Sequence, residues 1–189
     1  MKKVALILTV LFATFQLAAQ DHLSFKGIPI TGSMTEFCEK LQAKGFIPMG
    51  SENNISLFSG DFTGKESIVA VSATDDGNNV FAVVVFFNPM DDWNTLVDVY
   101  EYYKQLYVHK YGKPTASEEN NPARIKSNVV LMSELYQGRV TYFSLWEVTG
   151  GDIQLSIEKG TGVYDGTIMI RYRDSQNINA KFQNDLNEI

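Results

Sequence analysis

Apolar residues recur at intervals of three and four in two stretches of the chain, which predicts two amphipathic helices. The first begins with a capping box at 33–36 and ends at Gly45. The second is capped by Asp91 or Asp92 and is stopped by Gly112. Such a helix requires a partner for its apolar face, and a sheet is the available one. The stripe of the second helix consists of Trp93, Leu96, Val97, Tyr100, Tyr103, Tyr107 and Tyr111.

Alternating patterns and short apolar runs predict seven strands in the remaining sequence. The run at 80–87 is apolar at both odd and even positions, so this strand is expected to be central and covered on both faces. The polar segment 115–128 predicts a surface loop. Ile178, Phe182 and Leu186 step by four and predict a short C-terminal helix. The predicted strands occupy 55–58, 67–73, 80–87, 129–136, 140–148, 153–158 and 167–173.

The predicted elements follow the order helix, three strands, helix, four strands and a short helix. Hairpins without regular βαβ alternation favour an α+β fold, in which helices pack on one face of an antiparallel sheet. The segments 27–90 and 91–189 are alike in outline, since each opens with a capped helix and continues into hairpins. Two tandem α-β modules of three and four strands are therefore an open alternative.

The first nineteen residues have the pattern of a secretory signal peptide. Lys2 and Lys3 precede an unbroken apolar run, and Ala19 provides a small residue at the exit. The run is shorter than the roughly twenty residues that a membrane helix needs. We therefore expect a leader at 1–19 and one α+β domain at 20–189 that is periplasmic or secreted. No cysteine lies near the exit, so no membrane anchor is expected in the mature chain.

The charge balance argues against several classes of partner. The chain has 16 basic and 22 acidic side chains, and loss of Lys2 and Lys3 with the leader leaves a net charge of −8. An acidic domain without a basic cluster is not expected to bind nucleic acid or an anionic membrane surface. The single cysteine, Cys38, cannot form an internal disulfide, and its place in the first helix favours a small buried side chain.

The sequence contains no recognisable catalytic or metal-binding motif. The histidines of the chain, His22 and His109, lack the spacing of zinc ligands, so neither a metal nor a cofactor is expected. The glycine-rich segment 160–166 lies between two predicted strands, which is typical of a hairpin turn and not of a phosphate loop. Carboxylates are plentiful, but the sequence does not place two of them across a cleft, as a glycosidase needs.

The aromatic residues are the remaining candidates for function. Alternation along one predicted strand places Tyr142 and Trp146 on one face and Phe143 and Leu145 on the other. One face is expected to pack under helices, whereas the other is either covered or displayed. A displayed Tyr142 and Trp146 would form a binding face, because Tyr and Trp are common interface anchors. Tyr102 lies off the stripe of the second helix and is expected to be exposed.

Several segments resemble exported proteins of the Bacteroidetes. They are the junction Ala19-Gln20, the stretch 25–32 that leads into the first helix, the end of that helix at 44–46, and the exit of the second helix at 110–114. This resemblance implies a periplasmic or secreted address and an α+β fold, and it supplies no functional residues. The order of helices and hairpins also resembles the β-lactamase-inhibitor-protein-like fold, in which tandem α-β modules form one curved sheet that can bind a protein. The cysteine pairs of that inhibitor are absent from this sequence.

Three functions fit these observations. The favoured one is a non-catalytic exported module that binds a partner through an aromatic sheet face or its rim, because apolar strand faces occur without a catalytic constellation. The second is a hydrolase with a carboxylate pair that the sequence does not locate. The third is a carrier of a small apolar ligand, in which the apolar strand faces line a cavity.

Overall fold

The computed structural model describes residues 22–120, 127–187 and 189 of the chain. The predicted leader at 1–19 lies outside the described residues and stays a prediction. Most of the described chain belongs to helices and strands. The helices within these ranges are α1 (Met34–Ala43), α2 (Trp93–Tyr111), α3 (Asn128–Tyr136) and α4 (Ser175–Asn187).

The strands form a small hairpin and one large antiparallel sheet. The hairpin consists of β1 (Ser24–Phe25) and β2 (Ile28–Pro29). The strands of the large sheet are β3 (Ile47–Glu52), β4 (Ile55–Phe62), β5 (Lys65–Ala73), β6 (Val80–Phe87), β7 (Ala116–Asn120), β8 (Thr141–Val148), β9 (Gly151–Lys159) and β10 (Gly166–Asp174). Their spatial order is β3-β4-β5-β6-β10-β9-β8-β7.

The large sheet is built from two successive meanders that meet in its centre. The first half of the chain contributes β3 to β6, and the second half contributes β7 to β10. The last strands of the two halves, β6 and β10, pair in the middle, where Val84 lies opposite Arg171. The predicted α+β fold with an antiparallel sheet is confirmed. Each half opens with a helix and has four strands, with α3 inserted in the second half, and a duplication stays a prediction.

The starts and ends of the helices follow the capping residues that the sequence predicts. The Ser33 hydroxyl accepts a hydrogen bond from the Glu36 amide at 3.3 Å at the start of α1. At the start of α2, the Asp92 carboxylate accepts a hydrogen bond from the Thr95 amide at 2.8 Å. Gly112 follows α2 with a φ of 85°, a left-handed conformation that glycine adopts without a steric penalty.

Three helices (α1, α2 and α3) and the β1–β2 hairpin pack on one face of the large sheet, which we call the covered face. Strand alternation assigns Tyr142, Ser144 and Trp146 of β8 to this face. The aromatic stripe of α2 is buried there as predicted, although Val97 and Tyr111 are only partly buried. Burial of each large apolar side chain contributes roughly 1.5–3 kcal/mol. The buried members are Trp93, Leu96, Tyr100, Tyr103 and Tyr107.

The opposite side of the large sheet, which we call the open face, carries apolar side chains that stay outside the core. Ile55 is 42% exposed, and Leu57 and Ile68 are each 38% exposed. Val84 and Phe86 of the central strand β6 are partly exposed. The expectation that both faces of β6 are covered is therefore only partly met, because α1, α2 and α3 all lie on the other side.

The C-terminal helix α4 continues directly from β10 and is tied to the sheet at its start. The buried carboxylate of Asp174 accepts hydrogen bonds from amides of the first turn, including that of Asn177 at 3.0 Å. The side-chain amide of Asn177 donates to the carbonyls of Ile30 and Val80, at 3.0 and 2.9 Å. The predicted C-terminal helix is confirmed, but Phe182 on its apolar stripe is exposed.

The segment 129–136, which the sequence predicts as a strand, forms most of α3 instead. Leu131, Met132 and Leu135 are buried at helical spacing, and the helix packs against α2, β9 and β10. The strand prediction rested on β-branched residues such as Val129, which is 79% exposed and contributes nothing to the core. Tertiary packing therefore decides the conformation of this segment against its local composition.

The two edge strands of the large sheet are absent from the sequence prediction. The strand β7 lies within the predicted loop 115–128, and β3 precedes the first predicted strand. Every residue of both strands is exposed. An edge strand without a buried face lacks the alternation of apolar residues by which a strand is predicted from sequence. Such a strand forms because it pairs with the neighbouring strand.

Of the two alternatives for the face of Tyr142 and Trp146, covered or displayed, the structure shows the covered one, so the two residues do not form a displayed binding face. Trp146 is 1% exposed, and its indole N–H donates to the carbonyl of Gly112 at 2.9 Å. Tyr142 is partly buried, and its ring packs edge-on against Trp93. The predicted alternation is right, but the helices cover the Tyr142 side of β8 and leave Phe143 on the open face.

We expect the Trp146→Ala variant to be strongly destabilised, because it leaves a cavity and removes the donor to Gly112. Changes of this kind cost about 3–5 kcal/mol in the free energy of unfolding. Urea denaturation followed by circular dichroism measures the loss. Tyr102→Ala is the matched control, because Tyr102 is 49% exposed, and we expect it to cost less than about 1 kcal/mol. Comparable losses in the two variants would contradict the core position of Trp146.

Candidate functional site

The three aromatic residues that the sequence singles out do not meet at one site. Trp146 lies in the core beneath α2, and Tyr142 lies on the same covered face. Tyr102 is exposed on α2, as predicted, and its ring packs edge-on against Tyr103. Two other surfaces have the features of a binding site, namely the open face and a groove beside α2.

The open face is an array of side chains in three rows that cross the sheet. The first row consists of Ser59, Ile68, Phe86, Met169, Ser156 and Phe143. The second row consists of Leu57, Ala70, Val84, Arg171, Gln154 and Leu145. The third row consists of Ile55, Ser72, Ala82, Arg173, Asp152 and Glu147. The apolar members form a contiguous band across β4, β5 and β6, which reaches β10 at Met169.

Arg171 lies in the middle of the open face with unused hydrogen-bonding capacity. Its Nη2 donates to Oε1 of Gln154 at 2.5 Å, whereas its Nε is buried and has no acceptor among the described residues. Burial, together with the neighbouring Arg173, lowers the pKa of the Arg171 guanidinium. Arg173 differs, since its Nε donates to the carboxylate of Asp152 at 3.0 Å. The array therefore holds one cation, Arg171, that no described carboxylate contacts.

A groove of about 1000 Å³ opens between α2, the β1–β2 hairpin and the end of β8. We call it the tyrosine groove, because four of the five aromatic side chains in its lining are tyrosines. The Tyr103 hydroxyl hydrogen-bonds to Oγ1 of Thr63 at 2.7 Å, which fixes one wall. The aromatic residues of the lining are Phe62, Tyr103, Tyr107, Tyr111 and Tyr172.

Two buried tyrosines in the lining hold each other in place. The hydroxyls of Tyr107 and Tyr172 share a hydrogen bond, and neither hydroxyl has another partner in the described chain. Burial raises the pKa of both hydroxyls, so both stay protonated at neutral pH. One hydroxyl donates in the shared bond, so the hydrogen of the other is left without an acceptor. The groove therefore contains one buried donor that the protein does not satisfy.

A clamp at Asp174 fixes the first described residues beside the tyrosine groove. The Asp174 carboxylate lies 3.0 Å from Nδ1 of His22 and accepts a hydrogen bond from the Leu23 amide at 3.0 Å. His22 lines the groove, and a buried carboxylate behind an imidazole is an arrangement that catalytic sites use. In the described part of the chain, however, His22 has no hydrogen bond to a serine or threonine, so the pair fits a structural clamp.

The charged groups of the tyrosine groove do not form a catalytic carboxylate pair. Glu147 is the one carboxylate in the lining, where it is accompanied by Lys26 and Lys110. Groups of three or more metal-ligating side chains are absent from the described ranges. Cys38 lies half-buried on α1, where burial raises the pKa of its thiol and makes it a poor nucleophile. The carboxylate pair of the hydrolase hypothesis is thus not found at this groove.

Sequence reasoning missed both surfaces for identifiable reasons. The tyrosine groove depends on the β1–β2 hairpin, whose strands of two residues each are too short to predict. The sequence does indicate the open face, because apolar residues occupy both odd and even positions in 80–87 and 140–148. That signal does not tell which face the helices cover, and the larger aromatic residues, Tyr142 and Trp146, suggested the wrong one.

Comparison of the chain with protein-family models, with curated proteins and with solved structures finds no match to any of them. Within the described ranges, no helix is both long enough and apolar enough to cross a membrane.

We expect the protein to lose stability steeply above about pH 10, because four buried tyrosines must stay protonated in the fold. Burial raises the pKa of Tyr100 to about 12 and also raises those of Tyr103, Tyr107 and Tyr172. Unfolded tyrosines lose their protons near pH 10, so the stabilisation is complete below that pH and falls as the pH rises toward the folded-state values. Urea denaturation at a series of alkaline pH values measures this slope. An unchanged slope in Tyr100→Phe would contradict the assignment.

Proposed function

We propose that this chain is an exported, non-catalytic binding module that docks a protein partner on its open face. The partner presents apolar side chains next to a carboxylate. The observation that carries the proposal is the contiguous apolar band of the open face, which ends beside Arg171, a cation without a described carboxylate partner. Contiguous exposed apolar surface of this kind marks interaction sites in monomeric proteins.

The size of the open face suits a protein partner. Eight strands spaced about 4.8 Å apart, with about 3.3 Å per residue along each strand, give a face of roughly 35 by 23 Å. This area is on the order of 800 Å², which is what one side of a standard protein interface buries. Its apolar members, such as Ile55, Leu57 and Ile68, are exposed enough to lose water on contact.

The polar groups of the open face indicate the chemistry of the partner. Arg171 lies between Val84 of β6 and Gln154 of β9, with Arg173 as a charged neighbour on its own strand. A docked surface without an acceptor would bury this guanidinium further and leave its donors unsatisfied, which is costly. A carboxylate from the partner reduces that cost by accepting from the terminal nitrogens of the guanidinium. The partner is therefore expected to carry an acidic side chain at the edge of an apolar patch.

The proposed export is supported by the N-terminal sequence alone. Lys2 and Lys3, the apolar run after them and Ala19 fit a cleaved leader. The domain that follows has one cysteine and so does not depend on disulfide formation in the compartment it reaches. Periplasmic or secreted location is therefore part of the proposal, and cell fractionation with an antibody to the protein tests it.

We expect Leu57→Lys and Ile68→Lys to abolish partner binding with little loss of stability, since both side chains already reach water. Tagged protein is used to capture the partner from native periplasmic and culture-supernatant fractions, and the captured amount is measured by mass spectrometry. Each variant should reduce capture at least tenfold, because a buried ammonium disrupts an apolar interface. Val129→Lys, an equally large change at an exposed position of α3, is the matched control and should capture as much as the unmodified protein.

Two results would overturn this assignment. Capture that survives both Leu57→Lys and Ile68→Lys would place the partner on another surface. Capture that is lost equally in Val129→Lys would show that added charge, and not the open face, is responsible. Sedimentation velocity on the purified protein identifies self-association, in which case a second copy and not a foreign partner covers the open face.

We expect Arg171→Met to raise the free energy of unfolding while it weakens partner binding. The change removes a buried donor that has no acceptor, which is worth about 1–2 kcal/mol. Arg173→Met is the control, and it should lower stability because Arg173 contacts Asp152. Urea denaturation and the capture assay are run on the same preparations. A destabilised Arg171→Met variant with undiminished capture would show that Arg171 serves the fold.

A further inference from the structure

We infer that the tyrosine groove is a second binding site, separate from the open face, that takes a small molecule with a flat ring and a carboxylate. The site lies between α2 and the β1–β2 hairpin, on the covered side of the sheet. Its ligand and the protein partner proposed above would therefore occupy opposite sides of the sheet. Three separate features of the groove point to such a ligand, namely its aromatic walls, its unsatisfied donor and its charge.

The walls of the groove suit a flat apolar body. A volume of about 1000 Å³ is at the upper end of the range for small-molecule pockets. The ring of Tyr107 stacks on that of Tyr111 with centroids 5.9 Å apart. Tyr107 is buried, whereas Tyr111 is partly exposed, so the Tyr111 ring is the aromatic surface that a ligand can reach. An aromatic ring of this kind stacks favourably on a planar ligand ring, and it holds the ligand with little loss of side-chain entropy because it is already packed.

The floor of the groove has a donor that requires an acceptor. The Tyr107 and Tyr172 hydroxyls have one hydrogen bond between them, which leaves one hydroxyl hydrogen without a partner in the described chain. Both side chains are more than nine-tenths buried, so this hydrogen is not freely hydrated. A ligand oxygen placed against the pair accepts from it, and a carboxylate oxygen accepts most strongly.

The charge of the groove selects an anion over a neutral ligand. The lining contains Lys26 and Lys110 but one carboxylate, Glu147, in a chain whose overall charge is −6. The ammonium of Lys26 donates to the carbonyl of Asp61, and that of Lys110 lies over the Tyr111 ring. Neither forms an ion pair with a carboxylate in the described part of the chain. Both ammonium groups therefore remain available to a ligand anion.

The test compares two probes that share a naphthalene ring, the anionic 2-naphthoate and the neutral 2-naphthylmethanol. Each is titrated into purified protein, and amide chemical shifts are followed by NMR. We expect saturable binding of naphthoate with a dissociation constant below about 1 mM, and binding of the alcohol that is at least tenfold weaker. The shifts should centre on groove residues such as Tyr107 and Lys110, and leave Ile68 of the open face unmoved.

Lysine variants identify which ammonium group binds the carboxylate of the probe. Lys26→Gln and Lys110→Gln should each weaken naphthoate binding threefold or more and leave the affinity for the alcohol unchanged. Lys40→Gln on α1 is the matched control, because Lys40 is exposed and is not part of the groove lining. Thermal unfolding of each variant verifies that the fold is intact.

Three outcomes would overturn the inference. They are equal affinity for the acid and the alcohol, equal weakening in Lys40→Gln, and the absence of saturable shifts at 10 mM naphthoate. None of these outcomes bears on the open face, because the capture experiment uses variants on the other side of the sheet. If the open-face variants lose partner capture but still bind naphthoate, the groove remains a ligand site that is independent of the open face.

Discussion

The burial of the aromatic stripe of α2 against the sheet is the interaction on which the rest of the structure depends. The helix crosses the line where the two meanders meet, so its side chains contact strands of both halves. Tyr103 stacks on Phe87 of β6, while Tyr107 contacts Tyr172 of β10. Tyr100 reaches further, and its hydroxyl hydrogen-bonds to Ser144 of β8 at 2.7 Å. One helix thereby joins both meanders into a common core.

Because α1, α2 and α3 pack on one side of the sheet, apolar side chains on the other side are left uncovered. The eight-stranded sheet has two faces, and α1, α2 and α3 cover one of them, whereas α4 is tied to the sheet near the start of β6 and the end of β10. Strands such as β6 remain apolar on both parities, so the uncovered side retains Val84 and Phe86 in contact with water. Natural sequences usually place polar residues on a solvated sheet face, and this departure is the strongest physical argument for a binding role.

Much of the fold could be predicted from the sequence because its signals are local. Capping residues such as Ser33 and Asp92, and the periodic stripe of α2, depend only on neighbours along the chain. The predictions that failed concern elements whose conformation depends on contacts with distant parts of the chain. The helix α3 contradicts its β-branched composition, since contacts with α2 and the sheet decide its conformation. The edge strand β7 has no buried face, so nothing in its own sequence distinguishes it from a loop.

The candidate sites were harder to predict because each is assembled from distant segments. Alternation separates Trp146 from Phe143, but it does not reveal which of the two is covered. That choice is made by the side on which the helices pack. The tyrosine groove likewise joins Lys26 of a short hairpin to Tyr107 and Tyr172, which are far apart in sequence. The residue types were visible in the sequence, whereas their convergence is a property of the topology.

The central pairing of β6 with β10 also sets the order in which the molecule can be completed. The strand β10 is the last strand in the chain, yet it occupies the middle of the sheet. Until the final segment is available, β6 is an edge with unpaired backbone groups and apolar side chains, which favours aggregation. The same final segment supplies Asp174, which holds His22 and Leu23. A chain that ends before β10 therefore lacks both the central strand pair and the Asp174 clamp, so the sheet is completed only when the segment 166–174 is present.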